Sequence, residues 1–195
     1  MVSARQEFNF LFASWSNKTP NLWEVLRAQA TLTAGAATYS LPNKTTTILD
    51  ASIVLNFGTS SESRTYITPI SRTEYMTYSN QQVQGRPTTY WYDRLVSQTI
   101  TFWPVPDSNV YTFDYFTVTQ IQDARLPGGE TPDVPYRWID AIVAGLAHRL
   151  ARIYAAPLEQ LRKADADEAW AIAAEQDTEA APVKISPNIR SYYPH

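Results

Sequence analysis

The runs Thr88-Thr89-Tyr90-Trp91-Tyr92-Asp93-Arg94, Thr99-Ile100-Thr101-Phe102-Trp103 and Tyr111-Thr112-Phe113-Asp114-Tyr115-Phe116-Thr117 decide the fold. Each alternates: Tyr90 and Tyr92 against Trp91, Ile100 and Phe102 against Trp103, and Tyr111, Phe113 and Tyr115 against Phe116. A period of two belongs to a pleated strand, and aromatic and β-branched residues suit its half-buried surface. Turn residues, Asp93-Arg94 and Pro106-Asp107-Ser108-Asn109, separate the runs and predict antiparallel strands. Because aromatics fall on both faces, the sheet is expected to be covered twice, or covered once and applied to a partner on the other side.

Upstream, Ile48 to Phe57 alternates through Ile53, Leu55 and Phe57 until Gly58-Thr59-Ser60-Ser61, and Arg64 to Pro69 predicts another strand. Ser71-Arg72-Thr73-Glu74 is a capping box that opens a short helix through Tyr78, while Ser79 to Pro87 reads as a polar loop with little to pack. Thr31-Leu32-Thr33 and Thr38-Tyr39-Ser40-Leu41 flank Ala34-Gly35-Ala36 as a hairpin would; before them Leu22, Trp23, Val25 and Leu26 suit a helical turn. In the first segment, residues 4–15, Phe8, Leu11, Phe12 and Trp15 share one helical stripe.

Downstream of Leu126-Pro127-Gly128-Gly129, the turn Pro132-Asp133-Val134-Pro135 sets Pro135 at a first helical position. Trp138, Ile139, Ile142, Val143, Leu146, Leu150, Ile153 and Tyr154 then recur at steps of three and four, a long helix. Pro157 restarts a second helix, Leu158 to about Thr178, whose Leu161 and Trp170 are among few large apolar groups, so it is weakly buried in a lone monomer. Pro182, Pro187 and Pro194 make residues 181–195 an extended arm carrying Ile185, Ile189, Tyr192 and Tyr193. The expected fold is α+β: one domain, 1–180, with a helical part at 1–16 and 132–180, an antiparallel β-rich part at about 30–125, and the arm.

Composition removes most catalytic chemistry. In 195 residues there is no cysteine, hence no disulfide, thiolate zinc site, iron–sulfur cluster or cysteine nucleophile; the imidazoles are His148 and His195. No apolar run approaches the ~18 residues of a membrane span, and Met1 to Leu11 lacks the pattern of a secretory signal. The Asn-Lys-Thr triplets at Asn17 and Asn43 are read as chance. The six glycines form no phosphate loop. His148 lies mid-helix as a packed or surface residue, Asp93 and Asp107 sit in turns rather than as a glycosidase pair, and Glu159, Asp165, Asp167 and Glu168 read as a solvated helix face. Net charge is −3, and each half of the chain about Glu130 holds slightly more acidic than basic residues. Arg137, Arg149, Arg152, Arg162 and Lys163 are interspersed with Asp140, Glu159, Asp165 and Asp167, so tight nucleic-acid binding, which needs basic excess, is not expected. No catalytic residue, cofactor or metal is expected.

Several fragments, in order, carry a resemblance: Ala13-Ser14-Trp15-Ser16-Asn17, Leu32-Thr33-Ala34-Gly35-Ala36-Ala37-Thr38-Tyr39-Ser40-Leu41-Pro42, Gly85-Arg86-Pro87, Asp93-Arg94, Phe102-Trp103-Pro104-Val105-Pro106-Asp107, Tyr111 with Tyr115, and Val134-Pro135-Tyr136-Arg137. Together the chain resembles the head-to-tail adaptor (connector or neck) proteins of tailed bacteriophages. The resemblance implies a structural virion protein without catalysis, made in the host cytoplasm, that forms a dodecameric ring under the portal, helps retain packaged DNA and seats the tail. It implies the portal protein, a downstream tail nozzle or hub protein and further copies as partners, with DNA passing without specific binding and no membrane. Carried over, Gly85, Arg86 and Pro87 lead into the aromatic strand, Asp93 and Arg94 shape one turn, Pro104, Pro106 and Asp107 the next, and Pro135 and Arg137 start the long helix. The arm residues Ile185, Ile189, Tyr192 and Tyr193 would dock on portal or a neighbouring subunit. Two other readings stand beside it: a phage tail or baseplate subunit whose sheet binds glycans through Trp91 and Trp103, and a metal-dependent hydrolase on the 159–168 carboxylates.

Overall fold

A computed structural model describes residues 2–18, 24–42, 45–120 and 134–178. The arm at 181–195, the segment 121–133, Leu22, Trp23 and Asn43 lie outside the described residues. In chain order the elements are α1 (Val2–Trp15), β1 (Val25–Thr31), β2 (Thr38–Ser40), β3 (Thr45–Leu55), β4 (Ser63–Tyr66), β5 (Thr68–Pro69), α2 (Arg72–Thr77), β6 (Gln84–Gly85), β7 (Thr89–Asp93), β8 (Thr99–Trp103), β9 (Val105–Pro106), β10 (Tyr111–Thr119), α3 (Ile139–Tyr154) and α4 (Glu159–Gln176). The fold is α+β, as expected.

Two four-stranded sheets, β1-β10-β3-β4 and β2-β8-β7-β5, share one core, and β6 pairs with β9 beside them. All pairs are antiparallel except β5 with β7 and β6 with β9. The alternation read in the sequence chooses the inward faces: Tyr90, Ile100 and Phe102 from one sheet meet Ile53, Phe113 and Tyr115 from the other. Phe113 is the hub, edge-on to Phe102 at 4.9 Å and stacked on Tyr115 at 4.4 Å. Such pairs add about 0.5–1.5 kcal/mol beyond their buried area. Burial pushes the Tyr90 hydroxyl up to about 12.

Several expectations are corrected by this two-sheet arrangement. Residues 31–41 do not form a hairpin: β1 pairs with β10 and β2 with β8, so the chain arches between sheets. Leu32 and Leu41 plug the core at either end of the arch, and Gly35 turns it at φ +79. Val25 and Leu26 accordingly belong to strand β1, not to a helical turn. The single strand expected over Arg64–Pro69 breaks at the fully buried Ile67, β4 staying in the first sheet and β5 entering the second. The loop 79–87 packs after all, with β6 against β9 and Pro87 buried. Strand β3 ends at Asn56, φ +51, which leaves Phe57 half exposed.

The helices build a second core that shares no residue with the first. Helices α3 and α4, joined through the short 3-10 turn Ala156–Leu158, form an αα-hairpin, and α1 packs on α3. Leu11, Phe12 and Trp15 of α1 meet Trp138, with Trp15 and Trp138 ring centres 5.4 Å apart. Helix α4 contributes Ala166, Ala169 and Ala173, small residues on one face that let the backbones approach. Gly145 of α3 serves the same end: a Cβ there would sit 3.0 Å from Leu11 Cδ1.

The long helix departs from its expected packing. Its buried residues are Ala141, Gly145 and Ala151, whereas Ile139, Val143, Ile153 and Tyr154 of the predicted apolar stripe are exposed, Val143 at 61% and Tyr154 at 70%. Trp138 of the stripe is in the bundle core and Ile142 and Leu146 pack at its edge, beside Ala141 and Gly145, while the other side of the stripe stays outside.

Candidate interaction surfaces

Three of the fragments that carried the resemblance, the arch about Gly35, Gly85-Arg86-Pro87 and the Phe102–Asp107 run, meet at one corner of the sandwich. Gly85 in β6 pairs with Pro106 in β9, and its α-carbon faces Pro104, from which a Cβ would stand 3.6 Å away. Pro104 follows a cis peptide bond after Trp103. Gly35 N–H donates to the Pro106 carbonyl at 2.8 Å, and Ala34 N–H to Asn109 Oδ1 at 2.7 Å, which ties the arch to the same corner. Arg86 reaches across to the Ile53 carbonyl at 3.3 Å, and Pro87 is buried. Asp107, beside Tyr111, lies in the turn that follows β9. At the other end Asp93 closes β7, and Arg94 donates to Thr47 Oγ1 at 2.7 Å. These side chains hold turns and sheet junctions together.

The outer aromatics of the β2-β8-β7-β5 sheet are covered by the chain itself. Ser71 Oγ caps α2 by accepting from Glu74 N–H at 3.0 Å, the forward half of the capping box. That cap sets Tyr75 to stack on Trp91 at 5.7 Å and Tyr78 on Trp103 at 4.0 Å. Trp103 Nε1 also donates to the Asn80 carbonyl at 3.1 Å. The ring faces a sugar would use are therefore occupied by tyrosines.

On the outer face of the other sheet lies a charge cluster that the strand pattern did not reveal. Asp114, buried in β10, accepts from Arg27 Nε at 2.9 Å, from Arg27 Nη2 at 2.7 Å and from Gln29 Nε2 at 3.3 Å, and pairs with Arg64. Arg64 also donates to Ser52 Oγ at 3.1 Å. The Arg27 fork holds the Asp114 carboxyl at about 2, against the ordinary 3.8, despite the opposing effect of burial. The available signal was a lone carboxylate inside an aromatic strand, with an arginine on the adjoining β1 and another on β4, one strand beyond β3.

In the helical part, Arg137 Nε donates to Asp177 Oδ1 at 3.1 Å and ties the start of the hairpin to its end, and Pro135 precedes the 3-10 turn Tyr136–Trp138. Two of the four carboxylates weighed as a metal site pair with arginines: Glu159 lies 3.7 Å from Arg152, and Asp165 3.2 Å from Arg162. Among the described residues no group of three acidic, histidine or cysteine side chains could hold a metal ion. A cleft of about 170 Å³ between α1, α3 and α4 includes Lys18, Arg149 and Asp167. Its cations are engaged, Arg149 by Glu7 and Ser14, and Lys18 over the Trp170 ring at 4.3 Å. The arm residues Ile185, Ile189, Tyr192 and Tyr193 lie outside the described residues.

Among the described residues, the helical hairpin exposes several large apolar side chains. Ile139, Val143, Ile153 and Tyr154 on α3 are joined by Tyr136, 90% exposed, and by Leu158, Leu161 and Ile172 on the adjoining turn and helix. Exposed large apolar side chains gathered on one helix face are a candidate interaction surface. No described helix is long and apolar enough to cross a membrane.

A helical hairpin that directs large apolar side chains outward is a feature of proteins that assemble with partners. Comparison with known families agrees: the SU10 adaptor protein model matches residues 3–188, and the chain belongs to that family. It is a phage structural adaptor protein. No curated protein matches the chain.

Proposed function

We propose that this adaptor forms an oligomeric ring, a dodecamer in the virion, that joins the portal to the tail in the head–tail neck. It helps retain the packaged DNA and offers the seat for a downstream nozzle or hub protein. The observation that carries this reading is the outward apolar face of α3, Ile139, Val143, Ile153 and Tyr154, which a lone subunit leaves in water. A ring repeats one heterologous contact, so each copy needs such a face and a complementary patch on the next. The architectural residues Gly85, Arg86, Pro87, Asp93, Arg94, Pro104, Pro106, Asp107, Pro135 and Arg137 serve by shaping the subunit. The arm, through Ile185, Ile189, Tyr192 and Tyr193, docks on the portal or a neighbouring subunit. The chain's slight negative charge suits a conduit for DNA, since phosphate is repelled rather than bound.

Mass measurement of the protein alone and with its portal tests the reading. A ring on the portal is expected, and Val143→Glu with Ile153→Glu should abolish it while leaving the circular dichroism spectrum unchanged, because both positions are exposed. A doubly substituted protein that still assembles on portal refutes the ring role of this face. Removal of residues 181–195 should separately abolish portal attachment.

A further inference from the structure

Between Ile70 and Val83 the chain runs outside the sandwich and is pinned to it at both ends. Ile70 N–H donates to the Tyr90 carbonyl at 2.8 Å, and the Val83 carbonyl accepts from Val105 N–H at 2.9 Å. The stretch between them, residues 71–82, includes α2 and lies over the outer face of β7 and β8. No side chain of α2 is buried; across 71–82 only Tyr75, Tyr78 and Gln81 are half-buried, and Met76 is 69% exposed.

Most hydrogen bonds of this stretch turn back on it. Ser71 Oγ accepts from Glu74 N–H, Thr77 Oγ1 donates to the Glu74 carbonyl at 2.7 Å, Gln81 Nε2 donates to the Tyr75 carbonyl at 3.3 Å, and Asn80 Oδ1 accepts from Gln82 N–H at 2.9 Å. Among the described residues one hydrogen bond crosses to the sheet, from Trp103 Nε1 to the Asn80 carbonyl. Ring stacking supplies the other hold, Tyr75 on Trp91 with planes 28° apart and Tyr78 on Trp103 at 21°.

The two stacks depend on each other. Trp91 lies opposite Thr101 and Trp103 opposite Thr89, so the tryptophans are diagonal neighbours on one sheet face. Above them Tyr75 meets Tyr78 edge-on at 6.2 Å. A helix of six residues does not stand alone in water, so α2 keeps its turn only while its tyrosines rest on the tryptophans. Losing one stack therefore removes the support of the other. Beneath the strap, Tyr90, Phe102 and Phe113 are at most 2% exposed and hold the two sheets together. Segments with few buried apolar contacts open at a free energy below that of global unfolding, and 71–82 is such a segment on a well-buried base.

We propose that residues 71–82 are a strap that opens as one unit in the native protein, with both sheets still paired, and so uncovers Trp91 and Trp103 together. Closed, the strap keeps the tryptophan pair out of contact with other molecules. Open, it presents both rings to the surroundings, an aromatic surface that the closed subunit holds in reserve.

Hydrogen exchange of the full chain, followed by nuclear magnetic resonance, detects the opening at the Trp103 indole N–H. That proton should exchange at least about a hundredfold faster than the backbone amides of the central strand β10. Low urea should accelerate the β10 amides and leave the indole rate nearly unchanged, since local opening exposes little surface. Tyr75→Ala, which deletes the stack on Trp91, should raise exchange at Trp103 about two- to tenfold and leave β10 as it was. An indole that exchanges in step with the β10 amides overturns the proposal, because the strap then opens only with global unfolding. An indole that exchanges at the rate of free tryptophan overturns it too, since nothing then closes. So does a Trp103 rate that Tyr75→Ala leaves unchanged, since the two stacks then open separately.

Discussion

Asp114→Asn isolates the charge cluster on the outer sheet face with almost no change of shape. In the native protein the carboxyl is held at about 2 rather than 3.8. That difference corresponds to at most about 2.4 kcal/mol of stability at neutral pH. Arg27 and Arg64 are nearly half exposed, with side-chain accessibilities of 48% and 43%, so solvent screening reduces the figure to about 1–2 kcal/mol. The native pKa is depressed, so the stabilisation is complete above 3.8 and is lost as pH falls through about 2. Urea unfolding should show Asp114→Asn less stable by about 1–2 kcal/mol at pH 7 in low salt. About half of that gap should be gone at pH 3. High salt should narrow it as well. A gap below about 0.5 kcal/mol at pH 7, the size of a neutral surface substitution, or one unchanged at pH 3, would refute the assignment of the cluster as a stabilising charge network.

Phe113→Ala removes the hub of the sandwich core and should cost about 3–5 kcal/mol; because the helical core shares no residue with it, the helical signal in thermal circular dichroism should melt at its usual temperature. Gly145→Val places a side chain where Leu11 already stands at 3.0 Å, and calorimetry should register a loss of about 1–3 kcal/mol that Leu11→Ala partly relieves. Tyr78→Ala uncovers Trp103, which should appear as a red shift in tryptophan emission and as new accessibility to acrylamide, and an unchanged spectrum would contradict the stacked arrangement.

The strand faces were legible because aromatic alternation has a single physical cause: side chains at every second position meet the same surface. Tyr90, Ile100, Phe102, Phe113 and Tyr115 therefore fell on the core side as read. The arch at 31–41 was not legible, because a turn-rich Ala-Gly-Ala stretch between two short strands looks the same whether the strands pair with each other or with distant ones. Only the competition for β10 and β8 decides, and that lies far away in the chain. The cover over Trp91 and Trp103 was half visible. The capping box announced α2, but nothing in its sequence says that Tyr75 and Tyr78 stack on those two rings.

Helix α3 shows why periodicity names a face without naming its occupant. Its sequence carries two apolar faces: a bulky one that includes Ile139, Val143 and Ile153, and a small one of Ala141 and Gly145. A pattern search weighs side-chain size and selects the first. Packing weighs available space, and beside Trp15 and Phe12 the helical core takes Trp138, Ala141 and Gly145, with Ile142 and Leu146 at its edge, and leaves Ile139, Val143 and Ile153 outside. Burying the small face forgoes the transfer free energy of several large aliphatics, each worth about 1.5–3 kcal/mol when fully buried. A sequence that folds this way has kept that driving force for contacts outside the subunit. The ring contact proposed above would return those side chains to an apolar setting, which is why substitutions at Val143 and Ile153 test assembly and not folding.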